Sequence, residues 1–237
     1  MFVTGCHRSG TSLLAGLIWN LRGIPSDQRL GELEVKLENP LGFFESRRLM
    51  ELNDSLLEEI GCSWKRLPLL PLDWSSSKHI GRFTELRESF REYALKTAWV
   101  DKDPRLCLTY SAFLHILLKR VPLAAVLRNP VDVATSLYSR NAIFIDAGLA
   151  IWFLYNHHLA RVIQEGDFLV SYKALLTLKD QNISNDLRKD LNEFFVRNGE
   201  IKPEKSLWES SIKKCIQTKL NRSEFSLPKA IEGLINP

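Results

Sequence analysis

Three short segments carry cations, carboxylates and hydroxyls at spacings suited to binding anions. In Gly5-Cys6-His7-Arg8-Ser9-Gly10-Thr11-Ser12, two glycines separated by four residues lie between an apolar run and an amphipathic one. Glycines let a backbone curl so that successive N–H groups face inward, and the helix that follows adds the positive end of its dipole. The segment is therefore expected to hold a phosphate-like group, with Arg8 placed to grip a terminal anion by paired hydrogen bonds. Arg128-Asn129-Pro130-Val131-Asp132 follows a second apolar run, and Ser136 lies close to two turns beyond Arg128. This is a second anion site at a strand end, with Pro130 opening the helix. Asp101-Lys102-Asp103-Pro104-Arg105 follows a third short apolar run and supplies a further cation flanked by carboxylates.

The first segment is not a Walker A loop, which would place Lys where Thr11 stands. The nearest candidate for an apolar run ending in a magnesium-holding Asp is the short stretch 98–101. Two anion sites at two strand ends suit a nucleotide phosphorylated at both its 5′ and 3′ positions better than ATP, which needs one cluster. A P-loop kinase or NTPase is the second reading, and a nucleotide-binding protein without turnover is the third.

The run His7-Arg8-Ser9-Gly10-Thr11-Ser12-Leu13-Leu14 resembles the loop by which sulfotransferases hold the 5′-phosphosulfate of PAPS (3′-phosphoadenosine 5′-phosphosulfate), in the version that carries Arg instead of Lys. The Arg128-x-Pro130-x-Asp132 segment with Ser136 resembles the family's 3′-phosphate motif. Asp101-Lys102-Asp103-Pro104 is similar to the Lys-Asp-Pro element of tyrosylprotein and related bacterial sulfotransferases. The resemblance spans residues 2–172 and implies a P-loop NTPase-like three-layer α/β fold. It implies that Arg8 neutralises the transferring sulfuryl group, that His7, Ser9, Gly10, Thr11 and Ser12 line the 5′-phosphate site, and that Arg128 and Ser136 hold the 3′-phosphate. Lys102 would contact the sulfuryl or bridging oxygen, and Tyr172, in Val170-Ser171-Tyr172-Lys173, would touch the nucleotide. Such a transfer needs charge stabilisation and in-line positioning, with no metal.

The acceptor hydroxyl must lose a proton. Glu45 is the first choice of base, because Asn39-Pro40-Leu41-Gly42-Phe43-Phe44-Glu45 resembles an element of a bacterial sulfotransferase-like group. Asp103, Glu38 and His7 are alternates. The catalytic His of the cytosolic enzymes has no counterpart here, and Arg197-Asn198-Gly199 is the nearest approach to their Arg-Lys-Gly element. The bacterial resemblance favours a saccharide acceptor, with a peptide or small metabolite open. The irregular stretches 28–44 and 66–79 are expected to shape the acceptor site.

The elements that must position these residues alternate in type. Strands are expected at Phe2–Thr4, 98–100, Leu123–Leu127 and 168–170. Helices are expected at Thr11–Leu21, 45–60, 83–96, 106–120, from Pro130 onward and at 147–164. That alternation argues for βα units around a central parallel sheet flanked by helices. With 237 residues and 45% hydrophobic side chains, one domain over 1–237 is expected.

The formal charge of +4, from 32 basic and 28 acidic side chains, is far from a nucleic-acid-binding composition. Cys6, Cys62, Cys107 and Cys215 form no CxxC pair, so neither structural zinc nor a disulfide framework is expected. His157-His158 are adjacent on a helix and point apart, which makes them packing or surface histidines. Trp152, Phe153 and Tyr155 on the same helix are expected to pack. No signal peptide and no apolar stretch of about 18 residues is visible, so a cytoplasmic protein is the expectation.

Overall fold

The computed structural model describes residues 1–22, 44–69, 74, 81–88 and 100–220, the side chains of 215–220 excepted. Four parallel strands form the sheet in the order β2-β1-β3-β4, with β1 at Phe2–Thr4, β2 at Asp101–Lys102, β3 at Leu123–Leu127 and β4 at Phe168–Ser171. The helices are α1 (Thr11–Leu21), α2 (Arg47–Glu59), α3 (residues 81–88), α4 (Leu106–Leu117), α5 (Pro130–Asn141), α6 (Ile145–Val162), α7 (Tyr172–Leu176), α8 (Gln181–Arg197) and α9 (Lys205–Leu220).

Parallel strands covered on both faces read as continuous apolar runs, and β1 and β3 do. Their side chains alternate between two helix layers. Val3, Ala124 and Val126 face a core built from α1, α8 and α9, including Leu14, Leu17, Leu191, Phe195 and Trp208. Phe2 and Leu123 pack on the opposite face against Leu52 and Leu56 of α2 and Tyr110 and Phe113 of α4. Ala125 meets Val133 and Leu137 of α5 and Ile151 and Tyr155 of α6 on that same face. The chain is thus an α/β protein with a four-stranded, all-parallel sheet flanked by helices.

Helix ends follow local chemistry. Ser46 caps α2 by accepting from Leu49 N–H, and Asn129 caps α5 by accepting from Val131 N–H, with Pro130 in the first turn. α4 stops at Leu118, in the left-handed region at φ 51°, short of the limit expected from Pro122.

The second strand takes in residues the sequence reading left out. The ladder pairs Phe2 with Asp101 and Val3 with Lys102, so the strand described at this place consists of the two charged residues that follow the expected 98–100 run. Apolarity locates a strand only where the side chains have no other way to be satisfied, and here both charges are buried with partners. Val100 is buried beside the strand, while Ala98 and Trp99 lie outside the described residues.

Candidate functional site

The three segments that carry cations lie at the carboxyl edge of the sheet. β1 runs into the loop 5–10, where Gly5 has φ 144° and a Cβ added to it would meet Val126 O at 2.5 Å. Only glycine lets the loop lie this close to β3. Gly10 caps α1 with φ 93°, and a Cβ there would stand 2.3 Å from the Tyr172 ring. Ser9 N–H turns back to Cys6 O at 3.0 Å, and the first helical bonds of α1 run from Leu13 and Leu14 N–H to Gly10 O. Arg8, between the glycines, is held at φ 68°, a strained setting for a non-glycine residue and one that clusters at ligand sites.

The two expected anion sites meet in one place. Arg8 Nε donates to Ser136 Oγ at 2.9 Å, and Arg128 Nη1 donates to Arg8 O at 2.8 Å. The Arg128 guanidinium lies over the Tyr172 ring, 4.4 Å from its centroid, a cation–π contact. Trp152 Nε1 donates to Arg128 O at 2.8 Å and fixes the backbone behind that side chain. Asp132, one helical turn away, lies 3.7 Å from Arg128 Nε, so the local ion pair forms only loosely. Arg8, Gly10, Arg128, Ser136 and Tyr172 are therefore one cluster drawn from the exits of β1, β3 and β4 and from α5.

β2 supplies a second cluster beside it. Lys102, 2% exposed, forms an ion pair and hydrogen bond with Glu45. Two residues assigned separate tasks from sequence thus form one buried pair. Burial raises the Glu45 carboxyl above its usual range, and the neighbouring Asp103 adds to this while Lys102 opposes it. Asp101 Oδ1 accepts from Ser46 N–H at 3.1 Å and Lys102 N–H at 2.7 Å, and its Oδ2 lies 2.5 Å from Ser46 Oγ. Burial pushes Asp101 up to about 7, against these hydrogen bonds. A closed ring results: Asp101 holds Ser46, whose neighbour Glu45 holds Lys102, the neighbour of Asp101. Asp103 is fully buried and accepts from Arg105 Nη1 at 3.2 Å, while Arg105 Nε reaches Asp54 at 2.6 Å.

His7 sits between the clusters. Its ring packs at 4.7 Å from Trp64 and edge-on to Tyr155 at 5.4 Å, and its Nε2 is closed off from solvent with no hydrogen-bond partner. Burial holds it neutral, well below its usual range, and the nearby charges of Arg105, Lys102, Arg8 and Arg140 add to the effect. Ser9 Oγ and Arg128 Nε are likewise buried without a hydrogen-bond partner. Buried polar atoms are nearly always satisfied, so three such atoms in one loop region suit a place that a ligand completes. Burial raises the Cys6 thiol, with Cys107 adding to it, so the loop offers no ready thiolate.

Thr11 is buried and Ser12 half-buried at the start of α1. Arg197 does not join them. Arg22, just past the end of α1, pairs with Glu200, which puts the end of α8 about 16 Å, the length of α1, from the loop. His158 bonds Pro68 O at 3.1 Å and His157 stacks on Phe153. Among the described residues no cluster of His, Cys, Asp or Glu is placed to hold a metal ion, and no helix is long and apolar enough to cross a membrane. Glu38 and most of the stretches 28–44 and 66–79 lie outside the described residues. Sequence reasoning missed Asp101 as the tie to α2, Asp54 as the second partner of Arg105 and Trp64 as the cover of His7. The Ser46 cap was visible as a serine opening an amphipathic run, whereas nothing local marks Trp64.

Compared with models of known protein families, with curated proteins and with solved structures, the chain matches none.

Proposed function

We propose that the chain is a PAPS-dependent sulfotransferase of P-loop NTPase-like fold, moving a sulfuryl group in line to an acceptor hydroxyl. One observation carries the reading: Arg128 and Ser136, from the second anion segment, each bond Arg8 in the first. A nucleotide charged at both ends needs such a pair of neighbouring sites, and the resemblance of the three segments to sulfotransferase motifs names the donor. Ser9 Oγ and Arg128 Nε, both buried without a hydrogen-bond partner, fit it, since both can donate to phosphate oxygens.

In this reading the turn from Gly10 to Ser12 holds the 5′-phosphate, Arg8 holds the sulfuryl oxygens, and Arg128 and Ser136 hold the 3′-phosphate while Tyr172 supports Arg128. Lys102, set in place by Glu45, stabilises charge that develops on the bridging oxygen as the sulfur–oxygen bond breaks. No metal enters. A saccharide is the acceptor favoured by the bacterial resemblance, and cytoplasmic residence agrees with the scattered cysteines.

The test is thermal unfolding with PAP, the desulfated nucleotide, in the presence of EDTA. A ligand at 100 times its Kd adds about 2.7 kcal/mol to stability, a shift of several degrees. Stabilisation by ATP with magnesium but not by PAP would replace this reading with a kinase or NTPase. Binding of PAP without sulfate transfer to any acceptor in a broad panel would leave a nucleotide-binding protein.

A further inference from the structure

We propose that His7 is the proton acceptor of this site, and that the negative charge of the bound nucleotide is what lets it take the proton. The inference rests on the sulfotransferase reading and goes beyond it, because the carboxylates weighed for the task and described here are engaged. Glu45 holds Lys102, and Asp103 holds Arg105. His7 Nε2, by contrast, is buried next to the loop without a hydrogen-bond partner. In the tautomer protonated at Nδ1, that nitrogen presents a lone pair and nothing else competes for it.

The surroundings explain why the group is silent until the donor arrives. Arg8 from the loop, Lys102 from β2, Arg105 at the head of α4 and Arg140 from α5 all disfavour a charge on the ring. Trp64 and Tyr155 add aromatic surface against the ring. The carboxylates of the neighbouring cluster, Glu45, Asp103 and Asp54, are each already paired with Lys102 or Arg105. A nucleotide carrying several negative charges against Arg8 offsets this field. One net charge at about 7 Å, at an effective dielectric constant of about 20, moves a titration midpoint by more than about one pH unit. That brings the imidazole toward working pH, where a general base is most effective.

The step balances. The acceptor oxygen bonds to sulfur, the bond from sulfur to the 5′-phosphate oxygen breaks with its electron pair staying on PAP, and the acceptor proton passes to His7 Nε2, directly or through one water.

The test needs no acceptor. PAP is titrated into wild type and His7→Gln by calorimetry at pH 6.5, in two buffers of different ionisation enthalpy, which gives the protons taken up on binding. In parallel, carbon-13 histidine spectra of the wild type follow the ring with pH, with and without PAP, the His7 signal being the one missing from the variant. The expected result is greater proton uptake by wild type than by the variant, and a His7 midpoint at least about one pH unit higher with PAP. Should the variant not fold, the wild-type spectra decide, since the ring whose midpoint moves with PAP is then sought directly. Equal uptake, or histidine midpoints that ignore bound PAP, would overturn the assignment of His7 and leave the sulfotransferase reading standing. Failure of PAP to bind wild type at all would end both.

Discussion

Asp101→Asn should make the protein less sensitive to rising pH. The carboxyl is buried and held up at about 7 where its ordinary value is 3.8. A group whose folded value exceeds its unfolded one gives stability that is whole below the unfolded value and is lost as pH rises toward the folded one. A displacement of roughly three pH units, at about 1.36 kcal/mol each, comes to about 4 kcal/mol of stability lost between pH 4 and pH 8. The amide of asparagine keeps the shape and the bonds to Ser46 and Lys102 N–H, but has no proton to lose. Urea unfolding of wild type and variant across this range isolates the effect. His7, held neutral, works in the opposite sense and costs stability as pH falls below its usual range, yet it is present in both proteins and cancels in the difference. The wild type should therefore lose ground to Asp101→Asn steadily up to about pH 7 and level off above it. A difference that is flat with pH, or that grows in favour of the wild type, would refute a protonated Asp101 at the tie between β2 and α2.

Gly10→Ala should lower the unfolding free energy by about 1–3 kcal/mol through its left-handed φ alone, and should also blunt stabilisation by PAP, because the new Cβ drives the Tyr172 ring from beneath Arg128. Gly61→Ala, at φ 72° with open space around it, is the control that strains the backbone without touching the site. Arg8→Ala should lower turnover of PAPS by about 10²–10³ with the fold intact, as read by circular dichroism and release of PAP; Lys102→Ala should lower it as much and also lower the unfolding free energy, because it leaves Glu45 buried and unpaired; Arg128→Ala should mainly weaken PAP affinity. Tyr172→Phe should bind PAP as the wild type does, while Tyr172→Ala should lose about tenfold, since the ring face and not the hydroxyl supports Arg128.

What was legible in the sequence was what depends on near neighbours. Apolar runs at 2–4 and 123–127 are strands because both faces are covered, the run at 168–170 is an edge strand covered on one face, and Asn129-Pro130 opens a helix because its cap and fixed φ act within three residues. The loop 5–12 was readable because its two glycines and strand–helix setting are contiguous. The β2 strand was not, since its burial depends on Ser46 and Glu45, more than 50 residues away. A charged dipeptide reads as surface until its partners are known. The pairing of Lys102 with Glu45 was hidden for the same reason, and so was the covering of His7 by Trp64.

Strand order also gives the site a direction that no single motif contains. Because β1 lies between β2 and β3, the exits follow one another across the sheet as Lys102, Arg8, Arg128 and Tyr172. Adjacent strands are about 4.8 Å apart, so these four exits span about 14 Å. The cation with a buried carboxylate partner stands at one end, and the cation stacked on an aromatic ring stands at the other. A small anion would need only the β1 exit. A line of three cations from three strands, of which Arg128 bonds Arg8 O, suits an elongated ligand charged along its length; under the proposed sulfotransferase reading the transferred group would lie toward the β2 end, where Glu45 and Lys102 can answer changes in charge, and the anchored group at the β3 and β4 end.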